Sequence, residues 1–212
     1  MPGYDHSAAT DHGDTVEAYG WWRHADRSQP PEYIGLDDGL QTVAQTLIAE
    51  GPFDGVVGFS QGAALAAMVA SLLGSADRSE AFRRLNSLNP LAIPFPSSFR
   101  DIEHPPLKFC VVYSGFVARG ERYHAFYEPH ISTPSCHFVG SLDNVVEESR
   151  SRLLIEAFGG EEQAQVVYHP GGHFLPNSKQ FLNVLVGFIK SSVSSLTLGG
   201  EKKDAEELDG GS

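Results

Sequence analysis

The sequence predicts an α/β fold, a mostly parallel sheet with helices on both faces. Three observations carry that prediction. Apolar runs of strand length alternate with helix-periodic segments from Phe53 to Ile189, and such alternation builds a parallel sheet covered on both sides. Phe53 to Leu73 reads FDGVVGFSQGAALAAMVASLL, a short apolar run, a Gly-flanked serine and an Ala-rich helical segment. Ser60, Asp143 and His173 each follow a different predicted strand. In a parallel sheet the carboxyl ends of the strands face one edge, so these three converge there.

Bulk properties narrow the class. A chain of 212 residues with 41% hydrophobic and 20% charged residues suits one domain with a substantial core. Its 27 acidic against 15 basic residues leave a net charge of −12. No basic block offsets that charge, which argues against nucleic acid or an anionic membrane surface as partner. The polar N-terminus MPGYDHSAATDHGD is not a signal peptide, and the longest apolar run, Ala63 to Leu73, is too short for a membrane span. The two cysteines, Cys110 and Cys136, lie in strand-like runs and read as buried free thiols. A soluble, cytoplasmic protein is expected.

Residues 1–20 are polar and aperiodic, so they read as disordered or loosely packed. Trp21 and Trp22 follow in a Pro-containing loop, where they either line a pocket or cover the core. Leu36, Leu40, Val43, Ala44, Leu47 and Ile48 recur at helical spacing, giving a helix over about 37–50 that Gly51-Pro52 ends. Val56 and Val57 begin the next strand, and the helix after it is apolar nearly all round, hence buried, with Gly74 as its stop. A short helix is expected over 79–88. NPLAIPFPSSFRDIEHPP is too Pro-rich for a core strand and is either an entrance wall or a surface connection. KFCVVY, CHFV and the run from Gln165 to Tyr168 are strands, with a helix from about Val145 to Phe158 between the last two. The final helix takes Asn177 or Ser178 as N-cap and turns Phe181, Val184, Leu185, Phe188 and Ile189 to one face. Residues 191–212 read as a disordered acidic tail.

The chemistry gathers at G-x-S-x-G, Gly58 to Gly62. Gly58 and Gly62 relieve the collision of a strand passing directly into a helix, leaving the Ser60 hydroxyl proud of the sheet edge. The Gln61 backbone N–H then faces a developing oxyanion. A serine hydroxyl needs a base within reach, and His173, on a Gly-Gly loop, serves that role with Asp143 orienting its ring. The order Ser, Asp, His is that of α/β-hydrolases. His169 is the nearest rival base, but it ends a strand. Pro170-Gly171-Gly172 precludes a helical His169/His173 metal pair, so no metal site is expected. Glu147 and Glu148 fall in a helix and read as a solvated face, and Cys110 in mid-strand is inert. No cofactor is called for.

GPFDGVVGFSQGAALAAMV, GSLDNVVEESRSRLL and HPGGHFLP, with the upstream AYGWWR and EYIGLDDGL, resemble the FSH family of serine hydrolases over roughly Tyr19 to Ile189. The resemblance implies an α/β-hydrolase-like domain over 21–190, with Ser60 as nucleophile, Asp143 as acid and His173 as base. It brings in fungal esterases and thioesterases, some of which release polyketides from synthases. It implies a small-molecule acyl ester or thioester as substrate, free or carrier-bound, and Trp21, Trp22, Phe116 and Phe174 are candidate pocket residues. The family begins with a strand, a His-Gly type loop, a helix and a second strand, and nothing in 1–35 reads that way. The expectation is a shortened member missing the first strands of the full fold, with one oxyanion donor lost and the elbow strand at an open edge that favours self-association. Two readings follow: a serine esterase or thioesterase working through an acyl-enzyme, or a catalytically impaired hydrolase-fold protein that binds or scaffolds.

Overall fold

The computed structural model describes residues 8–9, 15–16, 19–25 and 31–206. Two short antiparallel ladders come first, β1 (Ala8–Ala9) with β2 (Thr15–Val16) and β3 (Arg23–His24) with β4 (Tyr33–Ile34). Most of the N-terminal segment expected to be loose lies outside the described residues. The central sheet comprises β5 (Gly55–Phe59), β6 (Phe109–Tyr113), β7 (Ser135–Gly140) and β8 (Gln165–His169). All four run parallel, in the order β5-β6-β7-β8. Among the described residues β5 is an edge strand, and its Val57 is 54% exposed.

Helices α1 (Leu36–Glu50), α2 (Gln61–Gly74), α3 (Arg78–Leu88), α4 (Glu148–Ala157) and α5 (Lys179–Glu206) complete the domain. Strand residues alternate faces, so Cys110 and Val112 join α1, α2 and α4 in the larger core. Val111, Tyr113, Cys136 and Phe138 join Phe181, Val184, Leu185, Phe188 and Ile189 of α5 in the smaller one. The helix α2 is buried without interruption from Ala63 to Leu72, and its alanines let the backbone lie close on the sheet. The two thiols fall on opposite faces of the sheet, so both stay free and buried. Burial pushes the Cys136 thiol up to about 12 and the Cys110 thiol further still.

Two elements differ from expectation. The helix expected from Val145 starts at Glu148, because Asp143 Oδ1 accepts the Val145 and Val146 N–H groups and holds them in a turn. The last helix does not give way to a tail at 191 but continues to Glu206, although 191–200 is rich in Ser, Thr and Gly, poor helix formers, and 207–212 lie outside the described residues. The Pro-rich stretch, read as an entrance wall or a surface connection, also covers core. Phe95 meets Phe82 edge-on at 5.4 Å, and Phe99 is buried in the 3₁₀ turn Ser97–Phe99. No helix among the described residues is long and apolar enough to cross a membrane.

Arg78 opens α3 and is 1% exposed. Its Nη1 donates to the Ala125 carbonyl at 3.1 Å and its Nη2 to the His130 carbonyl at 3.3 Å, so one guanidinium ties α3 to the segment before β7. Burial lowers its pKa to about 10, and it stays charged at neutral pH. Arg78→Ala leaves the buried Ala125 carbonyl and the part-buried His130 carbonyl without this donor and opens a cavity, for an expected loss of roughly 2–4 kcal/mol. Urea denaturation monitored by circular dichroism measures it, and a loss below about 1 kcal/mol would show that the carbonyls find other partners.

Candidate active site

The strand β5 passes into α2 within one residue. Ser60 N–H donates to the Tyr113 carbonyl at 2.9 Å, which continues the β5–β6 ladder. The chain then turns at Ser60 with φ 54° and ψ −118°, a strained conformation for a residue with a side chain that costs about 1–3 kcal/mol. A Cβ on Gly58 would stand 2.3 Å from the Gly62 carbonyl oxygen, so only glycine fits there. Gly62 differs from expectation. A Cβ there would meet only Trp21 Nε1 at 3.5 Å, an ordinary contact. The steric demand of the turn therefore falls on Gly58.

The β7 and β8 loops are stitched to each other by their backbones. Ser141 N–H donates to the His169 carbonyl at 2.9 Å and Leu142 N–H to the Gly171 carbonyl at 3.0 Å. A Cβ on Gly140 would lie 2.7 Å from the carbonyls of Gly171 and Gly172, so the two loops touch through glycine. That contact fixes Asp143 opposite His173. His173 Nδ1 lies 2.8 Å from Asp143 Oδ2, and His173 Nε2 lies 2.9 Å from Ser60 Oγ. The structure thus brings together the three residues singled out from the sequence, in one continuous hydrogen-bonded chain. The Phe59 ring packs on the imidazole with centroids 4.7 Å apart.

The Asp143 side chain is 2% exposed and that of His173 18%. Burial works to raise the Asp143 pKa, but hydrogen bonds from His173 and from the Val146 and Val145 N–H groups outweigh it, holding the carboxyl below its ordinary range. Asp143 therefore stays ionised at neutral pH, and Nδ1 carries the proton shared with it. That leaves Nε2 free to accept from Ser60 Oγ. An arrangement of this kind can draw a proton from a serine hydroxyl as it attacks a carbonyl.

His169, the rival base, closes β8 at 2% exposure beside Phe174 and Phe181, and neither ring nitrogen has a partner among the described residues. Burial lowers its pKa. Glu148 pairs with Arg152.

The four candidate pocket residues separate. Trp22 is 2% exposed and stacks on Tyr33 at 5.3 Å, so it belongs to the core and not to an open pocket wall. Trp21 is 38% exposed beside the elbow. Phe116 is buried beneath the Arg150 guanidinium at 4.3 Å, and Phe174 is 51% exposed near the His169 loop.

Two further residues contribute that sequence reasoning passed over. The Gln61 side chain clips the tryptophan loop, its Oε1 accepting from Trp21 N–H at 2.7 Å and its Nε2 donating to the Trp22 carbonyl at 2.9 Å. Ser114 stands after β6 at φ 48° with its hydroxyl beside Asp143. It had the same signal as the three residues recognised, a polar side chain just past a strand end.

Gln61→Ala is expected to loosen the Trp21 loop and cost about 1–2 kcal/mol, read as a shifted tryptophan emission and a lower urea midpoint; an unchanged spectrum would count against the clip. Asp143→Asn tests the depressed carboxyl pKa. The wild-type advantage is expected to be full above the ordinary aspartate pKa of about 3.9 and to shrink as pH falls through the lower folded value. Denaturation midpoints at neutral pH and at a series of acid pH values measure it, and a gap that widens in acid would refute the assignment.

A family model described as "Serine hydrolase (FSH1)" matches residues 2–185. The Saccharomyces cerevisiae protein "Family of serine hydrolases 3" is 34% identical over 182 residues, covering 84% of this chain and 59% of that protein. "Esterase OVCA2" of Danio rerio is 35% identical over 179 residues, covering 81% of this chain and 67% of that protein. The chain spans between about a third and two thirds of the length of the curated relatives it matches. The crystal structure of Zea mays acyl-protein thioesterase 2 superposes with a TM-score of 0.52 at 20% identity, covering 82% of this chain and 74% of that one. That likeness places the fold among α/β-hydrolases. With the elbow, the parallel sheet and the match over 2–185 in agreement, the chain belongs to the FSH1 family of serine hydrolases.

Proposed function

We propose that this chain hydrolyses a carboxylic ester or thioester through an acyl-enzyme, with Ser60 as nucleophile, His173 as general base and acid, and Asp143 as the residue that orients the imidazole. The observation that carries the reading is the unbroken chain from Ser60 Oγ to His173 Nε2 at 2.9 Å and from His173 Nδ1 to Asp143 Oδ2 at 2.8 Å. The Ser60 oxygen attacks the carbonyl carbon while its proton passes to Nε2, forming a tetrahedral oxyanion. The Gln61 N–H, first of α2, is the donor proposed to meet that oxyanion at the positive end of the helix. Collapse expels the alcohol or thiol, which takes the proton from Nε2. Water then attacks the acyl-enzyme by the same route, returning Ser60 and releasing the acid. Neutral acyl esters, neutral thioesters and carrier-bound acyl chains of polyketide type belong in the substrate panel.

The test is covalent labelling by a fluorophosphonate probe. Wild type is expected to label and Ser60→Ala not to, with His173→Ala reduced by at least about a hundredfold in rate. A folded wild type that stays unlabelled would overturn the catalytic reading in favour of a binding role.

A further inference from the structure

In a chain of net charge −12, several cations of the described surface have a carboxylate neighbour. Arg83, Lys108, Arg122 and Arg152 pair with Glu80, Asp54, Glu32 and Glu148. Arg119 and Arg150 make no ion pair among the described residues, although they are close enough for the Arg119 charge to act on the Arg150 guanidinium. Arg150 is part-buried. Its guanidinium lies over the Phe116 ring at 4.3 Å and, among the described residues, touches an acceptor only at the Val145 carbonyl, 3.5 Å away. Arg119 is held through its backbone, its N–H donating to the Tyr33 hydroxyl at 2.8 Å, which leaves the guanidinium outward.

Both are set on built supports. Tyr33 is stacked between Trp22 at 5.3 Å and Tyr123 at 4.8 Å, with His24 edge-on at 4.8 Å. Trp22 in turn is clipped to Gln61, the residue after Ser60. Arg150 reaches the other side of the site, since Val145, whose carbonyl it touches, donates its N–H to Asp143. Arg150 stacks on Phe116 of the loop that follows β6 and carries Arg119, and it touches the loop that carries Asp143, so the two arginines lie on neighbouring loops at the carboxyl edge of the sheet. The nearby acids do not neutralise them. Asp143 is committed to His173, Val145 and Val146, Glu32 to Arg122, and Glu147 acts on Arg150 from beyond ion-pair distance.

We propose that Arg119 and Arg150 form an anion-binding subsite at the rim of the Ser60–His173 site, and that the ester or thioester handled there carries a carboxylate or phosphate group. Two like charges held together by the fold repel, and an oxyanion group between them relieves that repulsion while taking charge-assisted, fork-like hydrogen bonds. The placement of this group on a substrate rests on the hydrolase reading above, whereas the anion binding itself does not. The charge sits on the acyl chain or on the leaving group, and matched ligand pairs separate the two.

The experiment is equilibrium binding to Ser60→Ala protein, in which the ligand is not turned over. Monomethyl succinate against methyl butyrate tests a carboxylate on the acyl side. Butyryl-coenzyme A against S-butyryl-N-acetylcysteamine tests phosphate on the leaving side. In at least one pair the charged member is expected to bind about tenfold tighter or more, with the preference falling toward unity when Arg119→Gln or Arg150→Gln is added and as salt is raised. Neutral ligands should bind unchanged in both variants. Equal binding within both pairs, or a preference that survives both substitutions, would overturn the subsite. Arg119 is exposed, so Arg119→Gln remains informative if Arg150→Gln fails to fold. Fluorophosphonate labelling of wild type reads the other claim separately. Labelling without anion preference removes the subsite alone, and anion preference without labelling removes the hydrolase alone.

Discussion

The passage of β5 into α2 at Gly58 is the constraint on which the site depends. A Cβ at that position would meet the Gly62 carbonyl at 2.3 Å, so the sharp turn exists only because the residue is glycine. The turn holds Ser60 at positive φ, and that strain is balanced by the buried α2 beneath it, whose residues from Ala63 to Leu72 are all removed from water. A strained residue persists where its surroundings over-determine it. Here the Tyr113 carbonyl holds Ser60 from the strand side and the core holds α2 from below.

A second rigid body meets the first. The β7 and β8 loops cross through Gly140, Gly171 and Gly172 and share backbone hydrogen bonds at Ser141 and Leu142. Asp143 and His173 are thereby positioned by main chain rather than by their own side chains. The parallel register of β6 to β8 then sets this pair against Ser60. Electrostatics follow from the same geometry, because a carboxylate accepting two N–H groups of its own loop keeps its charge although its side chain is almost wholly buried.

Around that centre the aromatic residues do work that their composition does not announce. Tyr33 gathers Trp22 and Tyr123 in a stack with His24 edge-on and accepts the Arg119 backbone N–H on its hydroxyl. Gln61 ties this stack to the elbow. The aromatic stack and the elbow are therefore mechanically continuous. The β5 edge is of a different kind, with Val57 open to solvent on the strand that carries the elbow.

Much of this architecture was legible from the chain alone. Periodicity is local, so the α1 stripe, the all-apolar α2 and the runs at Phe109–Tyr113 and Ser135–Gly140 announce themselves. Ser60, Asp143 and His173 were legible because strand ends of a parallel sheet share one edge, and a polar residue just past a strand has nowhere else to point. The sequence by itself thus determined the sheet, its helical layers and the identity of the hydrogen-bonded trio. Tertiary structure alone decided that Trp22 is core while Trp21 is not, that Gly62 is sterically free where Gly58 is not, and that α4 starts late because Asp143 takes the two N–H groups of Val145 and Val146 ahead of it. It alone decided that the Gln61 amide clips a loop 40 residues away and that Arg150 stacks on Phe116. Those outcomes rest on contacts between residues distant in the chain, and no local pattern encodes which distant partner a side chain will find.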